Sequence, residues 1–206
     1  MSSDVTTIRD NIIEQSLFDA QLDGWSWKGL GNAARECGYG EDMAASVFPD
    51  ELDGALGHFA DWADRKMLQR LECFDPEQMR IRDRVRQGVL CRYAVLEPYK
   101  EAVRYALAHW TVPGRQARAG KILWRTADKI WKWAGDTSTD YNYYTKRGLL
   151  SSVIASTTLV WLNDSNFEHT LDDTNPGSAT HRFLDARIDN VLTIGKNLGK
   201  FKSFIS

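Results

Sequence analysis

Residues 148–163 read GLLSSVIASTTLVWLN, sixteen consecutive positions without a charge between Arg147 and Asp164. A bilayer-crossing helix needs about 20 predominantly apolar residues, so this run is too short, and its Ser and Thr content suits a buried central helix. Gly148, Ser151, Ser152, Ala155 and Ser156 are small enough for neighbouring helices to approach or for a ligand to fit. Leu149, Leu150, Val153, Ile154, Val160 and Trp161 supply an apolar wall. With Leu107, Trp110, Leu123, Trp124 and Thr157 they define a candidate chamber for a lipid-like molecule, to which a simply filled core is the alternative.

Outward from this helix the period of about 3.6 residues dominates and no strict apolar/polar alternation interrupts it, so the fold expected is all-α. Short helices are expected over 6–22, 26–37 and 41–47, then a connecting helix over 51–72. The first carries Ile8, Ile12, Ile13, Leu17 and Ala20 on one face and stops at Gly24; Ser26 is the expected N-cap of the second. Longer helices follow over 76–95, 99–110, 116–134, 139–163 and 178–200, joined by segments rich in turn formers. Residues 1–72 would form a helix-turn-helix module with its connecting helix, and 73–206 a larger bundle. This layout resembles the TetR-like regulators, in which such a module is fused to a helical ligand chamber.

The net charge of −2 conceals a split: residues 1–64 carry 13 acids and three bases, residues 65–206 carry 15 acids and 23 bases. Such asymmetry raises the question of an anionic partner. DNA is disfavoured, because the third helix offers Glu41, Asp42, Met43, Ala44, Ala45, Ser46 and Val47, and residues 29–64 sum to −7. DNA affinity rests largely on Lys and Arg displacing counterions from phosphates, and this surface would repel them. A ligand-responsive transcription regulator is kept as the second reading of the chain.

Other chemistries find no support. The string from Gly29 to Ala34 (GLGNAA) lacks the preceding strand of a dinucleotide site, and neither a Walker pattern nor a nucleophile elbow occurs. Cys37, Cys73 and Cys91 are odd in number and irregularly spaced from the histidines, against disulfides and a zinc cluster. No metal ligands, cofactor or catalytic residues are assigned, and His181 and Asp185 are read as a surface pair across one helical turn. The N-terminus has neither secretion-signal nor transit-peptide character, so cytoplasmic residence is expected.

At 100° per residue, Arg118, Lys121, Arg125, Lys129 and Lys132 share one face of the 116–134 helix, opposite Leu123, Ala127, Ile130, Trp131 and Ala134. Ile122 and Trp133 flank the cationic face, which is either a solvated stripe or a contact with a partner or membrane. Tyr141, Tyr143, Tyr144, Lys146 and Arg147 open the next helix as an interface cluster or an aromatic cap over the core. In the tail, Ile194, Leu198, Phe201 and Ile205 form an apolar stripe flanked by Lys196, Lys200 and Lys202. It suits a helix lying on an anionic membrane, with docking back on the bundle as the alternative.

The run AGDTSTDYNYYTKR at 134–147, continued by Thr157 to Val160 and Asp164-Ser165, together with FLDARI at 183–188, resembles a known signature. It is that of the coenzyme Q biosynthesis accessory family, TetR-like lipid-binding proteins required by the demethoxyubiquinone hydroxylase. The resemblance covers the bundle half; Val47-Phe48-Pro49 falls where the family's degenerate helix-turn-helix would lie. It implies a non-enzymatic homodimeric protein that binds a lipid or isoprenoid quinone precursor and presents it to the hydroxylase at the inner face of a membrane. Ile130, Trp131, Tyr143, Tyr144 and Arg147 would fall on the family's partner-binding patch.

Overall fold

The computed structural model describes residues 4–169 and 178–202, with the side chains of the last helix given as far as Val191. Every regular element among the described residues is helical, as an all-α, TetR-like chain requires. The chain forms two compact units, one from residues 1–66 and 95–122, the other from 67–94 and 123–206.

In the first unit, α1 (Val5–Leu22) buries Ile12, Ile13, Leu17 and Ala20 and ends at Gly24, whose φ is +81°. That left-handed conformation favours glycine, and a Cβ here would also sit 3.0 Å from the Tyr105 ring. Ser26 caps α2 (Trp27–Glu36), its Oγ accepting from Gly29 N at 3.0 Å. Then α3 (Met43–Val47) contributes only Ala44 and Val47 to the core, and α4 spans Glu51–Leu71. Polar ties fix α4 to α1: Arg65 grips Asp10 through two bonds of 2.6 Å, and Trp62 Nε1 donates to Glu14 at 2.8 Å.

The structure departs here from the contiguous cut near residue 72 that the sequence suggests, because α6 (Lys100–Thr111) packs on α1. Trp25 explains it. Its ring lies 5.0 Å from Phe59, and its Nε1 donates to Ala102 O at 2.8 Å, so one large side chain ties α4 and α6 into one core. Leu56, Ala106 and Trp110 extend that core, with Leu52, Ala119 and Ile122 against it. By composition the first unit holds 15 acids and ten Lys/Arg, and the second 13 and 16, so folding reduces the charge split to −5 and +3.

In the second unit the expected 76–95 helix begins later. Pro76–Gln78 forms a 3₁₀ turn capped by Asp75, extended Met79 breaks it, and α5 runs over Ile81–Leu96. Gly88 lets α5 approach α7 (Gln116–Trp133): a Cβ there would stand 2.7 Å from Ile130 Cγ2. Tyr93 on α5 is fully buried, stacked 5.1 Å from Trp161 of α8 (Tyr141–Trp161), and donates its hydroxyl proton to Ile154 O at 3.0 Å. Asp164 then begins the anchorage of α9 (Ala179–Lys202), accepting from the backbone N–H and hydroxyl of Thr180 at 2.8 and 2.7 Å.

Candidate functional site

The signature run 134–147 is a corner between α7 and α8, built on one carboxylate. Gly135 leaves α7 at φ +86°, and Asp136 N returns to Trp131 O at 2.9 Å, which satisfies the end of the helix. This places the Asp136 side chain, 3 % exposed, between Lys146 Nζ at 2.6 Å and Arg147 Nη1 at 2.9 Å. Ser138 Oγ donates to it at 2.8 Å. Asp140 caps α8 by accepting from Asn142 N at 3.0 Å. Burial opposes ionisation of Asp136, but hydrogen bonds from Lys146, Arg147 and Ser138 outweigh it and hold the carboxyl at about 2.

Arg147 is 1 % exposed and doubly paired: its Nε reaches Asp128 at 2.7 Å in addition to the Asp136 bond. Its guanidinium carbon lies 3.5 Å from the centre of the Tyr143 ring, whose hydroxyl donates to Asp128 at 3.3 Å. Lys132 closes the set on Asp128 at 2.8 Å. Burial also opposes ionisation of Asp128, and Lys132 and Arg147 bring its pKa below the ordinary range.

Over this network lies an aromatic surface. Tyr143 and Tyr144 meet edge to face at 5.1 Å, and Trp124 stands 6.3 and 6.1 Å from them. Tyr141 and Tyr144 are each 63 % exposed, while Trp124 and Tyr143 are half-buried. Of the five residues that the resemblance places on a partner patch, three are inside. Ile130 abuts Gly88, Trp131 donates from Nε1 to Lys146 O at 3.0 Å, and Arg147 is buried among carboxylates. Burial therefore leaves Tyr143 and Tyr144 to make outward contact, with Arg147 holding the first of them from below.

A second feature of this unit is a narrow apolar cleft of about 20 Å³, lined by Ile81, Arg82, Val85, Trp131, Leu150, Val153, Ile188 and Val191. Leu150 and Val153 meet there, as expected of an apolar wall. Other members of the expected chamber lie elsewhere. Leu107 is half-buried and Trp110 buried, both in the first unit, where Trp110 packs with Leu56 and Ala106. Within the second unit Leu123, Trp124 and Leu149 are half-buried, and Ile154 and Thr157 are buried away from the cleft lining. The Thr157 hydroxyl has no hydrogen-bond partner among the described residues. Sequence reasoning missed Ile81, Val85 and the carboxylates Asp128 and Asp136; the Asp128 to Lys132 spacing of one helical turn was the available signal for the first carboxylate.

Three other expectations change. Ile122 contacts the Leu56–Trp110 core instead of facing outward. Arg118 on the cationic face bonds to Asp50 at 2.7 Å and Asp53 at 3.2 Å, so the acidic segment neutralises part of that stripe. His181 is fully buried, its Nδ1 2.6 Å from Ser178 Oγ and its ring stacked on Phe167, while Asp185 pairs with Arg86 at 2.9 Å; the two do not form a surface pair. Of the tail stripe, Ile194, Leu198 and Phe201 lie on the α9 backbone with side chains outside the description, and Ile205 lies outside the described residues. Among the described residues no helix is long and apolar enough to cross a membrane, and no group of three His, Cys, Asp or Glu could hold a metal ion.

Residues 116–195 match the sequence model of the COQ9 family. Over 203 residues the chain is 26 % identical to human "Ubiquinone biosynthesis protein COQ9, mitochondrial", covering 95 % of this chain and 61 % of that protein. The rat protein of the same name is 28 % identical over 95 % of this chain and 62 % of its own length. The Dictyostelium discoideum "Probable ubiquinone biosynthesis protein coq9, mitochondrial" is 22 % identical over 90 % of this chain and 60 % of its own. The chain thus spans about three fifths of the length of these curated relatives. The matched region contains the Asp136 corner, the Tyr143–Tyr144 surface and the α7, α8 and α9 walls of the cleft, so it is over this part of the second unit that the chain is similar to the COQ9 family of ubiquinone biosynthesis proteins.

Proposed function

We propose that this chain is a non-enzymatic lipid-binding accessory protein of ubiquinone biosynthesis, which presents a quinone precursor to a di-iron hydroxylase. The observation that carries the proposal is the matched region itself, which joins an apolar cleft to an exposed aromatic surface on a rigid ionic base. Hydrocarbon is the chemistry a cleft with seven apolar linings and one arginine would accept. Tyr and Trp are the side chains that supply large contact area at low entropic cost to a protein partner. In this reading the tail holds the protein on an anionic membrane from which the lipid is taken, and two copies associate as a homodimer.

Native mass spectrometry of the purified protein after exposure to quinone-precursor vesicles tests the first half. A retained lipid is expected, and a chain that stays empty refutes lipid carriage. For the second half, Tyr144→Asp should abolish capture of the hydroxylase in a pull-down while thermal unfolding of the protein stays unchanged, because the side chain is 63 % exposed. Undiminished capture would remove Tyr144 from the docking surface.

A further inference from the structure

The apolar cleft is closed on one side by α9, through Ile188 and Val191. Its volume of about 20 Å³ is enough for a single water and for no hydrocarbon chain. A ligand therefore requires one wall to move. Three of the walls are tied into the interior: α5 by buried Tyr93, α7 by Ile130 against Gly88, α8 by Arg147. The fourth wall, α9, also buries Leu184 and Ile188 and packs on α8, and what ties it to α5 along the rim of the cleft is ionic.

That link has two rungs. Arg82 Nε and Nη2 bond to the Asp189 carboxylate at 2.6 and 3.2 Å, and Arg86 Nε bonds to Asp185 at 2.9 Å, with Arg82 3.7 Å from Asp185 as a diagonal. Both basic residues are one turn apart on α5 and both acids one turn apart on α9, so the rungs stand parallel along the helix axes. Arg82 is also the one charged residue of the cleft lining. The Arg82–Asp189 rung is open to water, with side-chain exposures of 33 % and 59 %. Such a contact is weakened by salt and by competing ions, which the apolar contacts are not.

We infer that the Arg82–Asp189 and Arg86–Asp185 pairs are an ion-pair latch that holds α9 over the apolar cleft and sets the rate at which a hydrocarbon chain enters. The inference rests on the lipid-carrying reading for its ligand, but the latch itself is a property of α5 and α9. Releasing Asp189 from Arg82 lets the Ile188–Val191 segment swing outward while the Asp164–Thr180 bonds keep the start of α9 in place. Raised ionic strength and charge reversal at one rung should both open it, and exchanging the two charges should close it again.

The test compares the full chain with Arg82→Asp and with the exchanged double variant Arg82→Asp/Asp189→Arg. Hydrogen exchange of the α9 backbone amides is followed alongside stopped-flow entry of pyrenedecane. The single variant should exchange α9 amides about tenfold faster, take up the probe about tenfold faster and lose its salt dependence, with both effects reversed in the double variant. Amide exchange that is indifferent to the reversal overturns the latch. If exchange responds but the probe enters every variant at one rate, α9 is not the gate and the inference also fails. If no variant binds the probe, the lipid-carrying reading fails, and the latch is decided by amide exchange alone.

Discussion

Replacing Arg147 with Met tests whether the signature corner is held by its buried charge or by packing. The substitution keeps an unbranched apolar stem and removes the bonds to Asp128 and Asp136, 2.7 and 2.9 Å long, and the stacking on Tyr143. Removing one member of a buried ion pair costs about 3–5 kcal/mol. Lys146 stays on Asp136 and Lys132 on Asp128, so the lower end applies, about 3 kcal/mol.

The pH dependence makes the test specific. Asp136 is held at about 2 against an ordinary 3.8, and a pKa unit corresponds to about 1.4 kcal/mol, so its ionised form contributes about 2 kcal/mol. The folded value is the lower one, so this stabilisation is complete above about pH 4 and disappears as pH falls toward 2. The variant retains less of it, and the gap between parent and variant should narrow on acidification. Urea unfolding followed by circular dichroism at pH 7, 5 and 3 measures the gap. A penalty below about 1 kcal/mol at pH 7, or one that is the same at pH 3, would refute the ionic account.

Two substitutions probe the frame around the corner. Gly88→Ala places a methyl 2.7 Å from Ile130 Cγ2 and should cost about 1–3 kcal/mol by overpacking; paired with Ile130→Ala in urea titrations, the two costs should be clearly less than additive. Asp164→Ala strands the buried N–H and hydroxyl of Thr180 and should cost about 2 kcal/mol, with faster hydrogen exchange in the first turn of α9 and a shallower loss of stability in acid. Exchange confined to other helices would assign Asp164 a different role.

The helices were legible because periodicity and caps are local. Ser26 and Gly24 act where a reading of adjacent residues puts them. The central run is helical from 148 to 161 and buries Leu150, Val153, Ile154 and Trp161, but Gly148, Ser152 and Leu159 are exposed, so it is a one-sided helix and not the buried central one its lack of charge suggests. What the sequence left hidden is pairing over distance. Trp25 and Ala102 are 77 residues apart, so the return of α6 to the first unit leaves no trace in any window. The same holds for charge: an arginine in a tyrosine-rich run looks like a surface contact until Asp128 and Asp136 are seen to enclose it. Ile122 turned inward because Leu56 and Trp110, distant in sequence, offered it an apolar seat.

The interior position of Asp136 separates what folds this corner from what the corner shows to its surroundings. Within 134–147, Asp136 and Arg147 build the bend from the inside, their side chains 3 % and 1 % exposed, while Gly135 turns the backbone. Substitutions at Tyr141 and Tyr144, each 63 % exposed, would therefore change the outward face of the corner and leave its ionic base in place. The shape of the corner is decided on its inside, and the chemistry it offers its surroundings on a few rings outside.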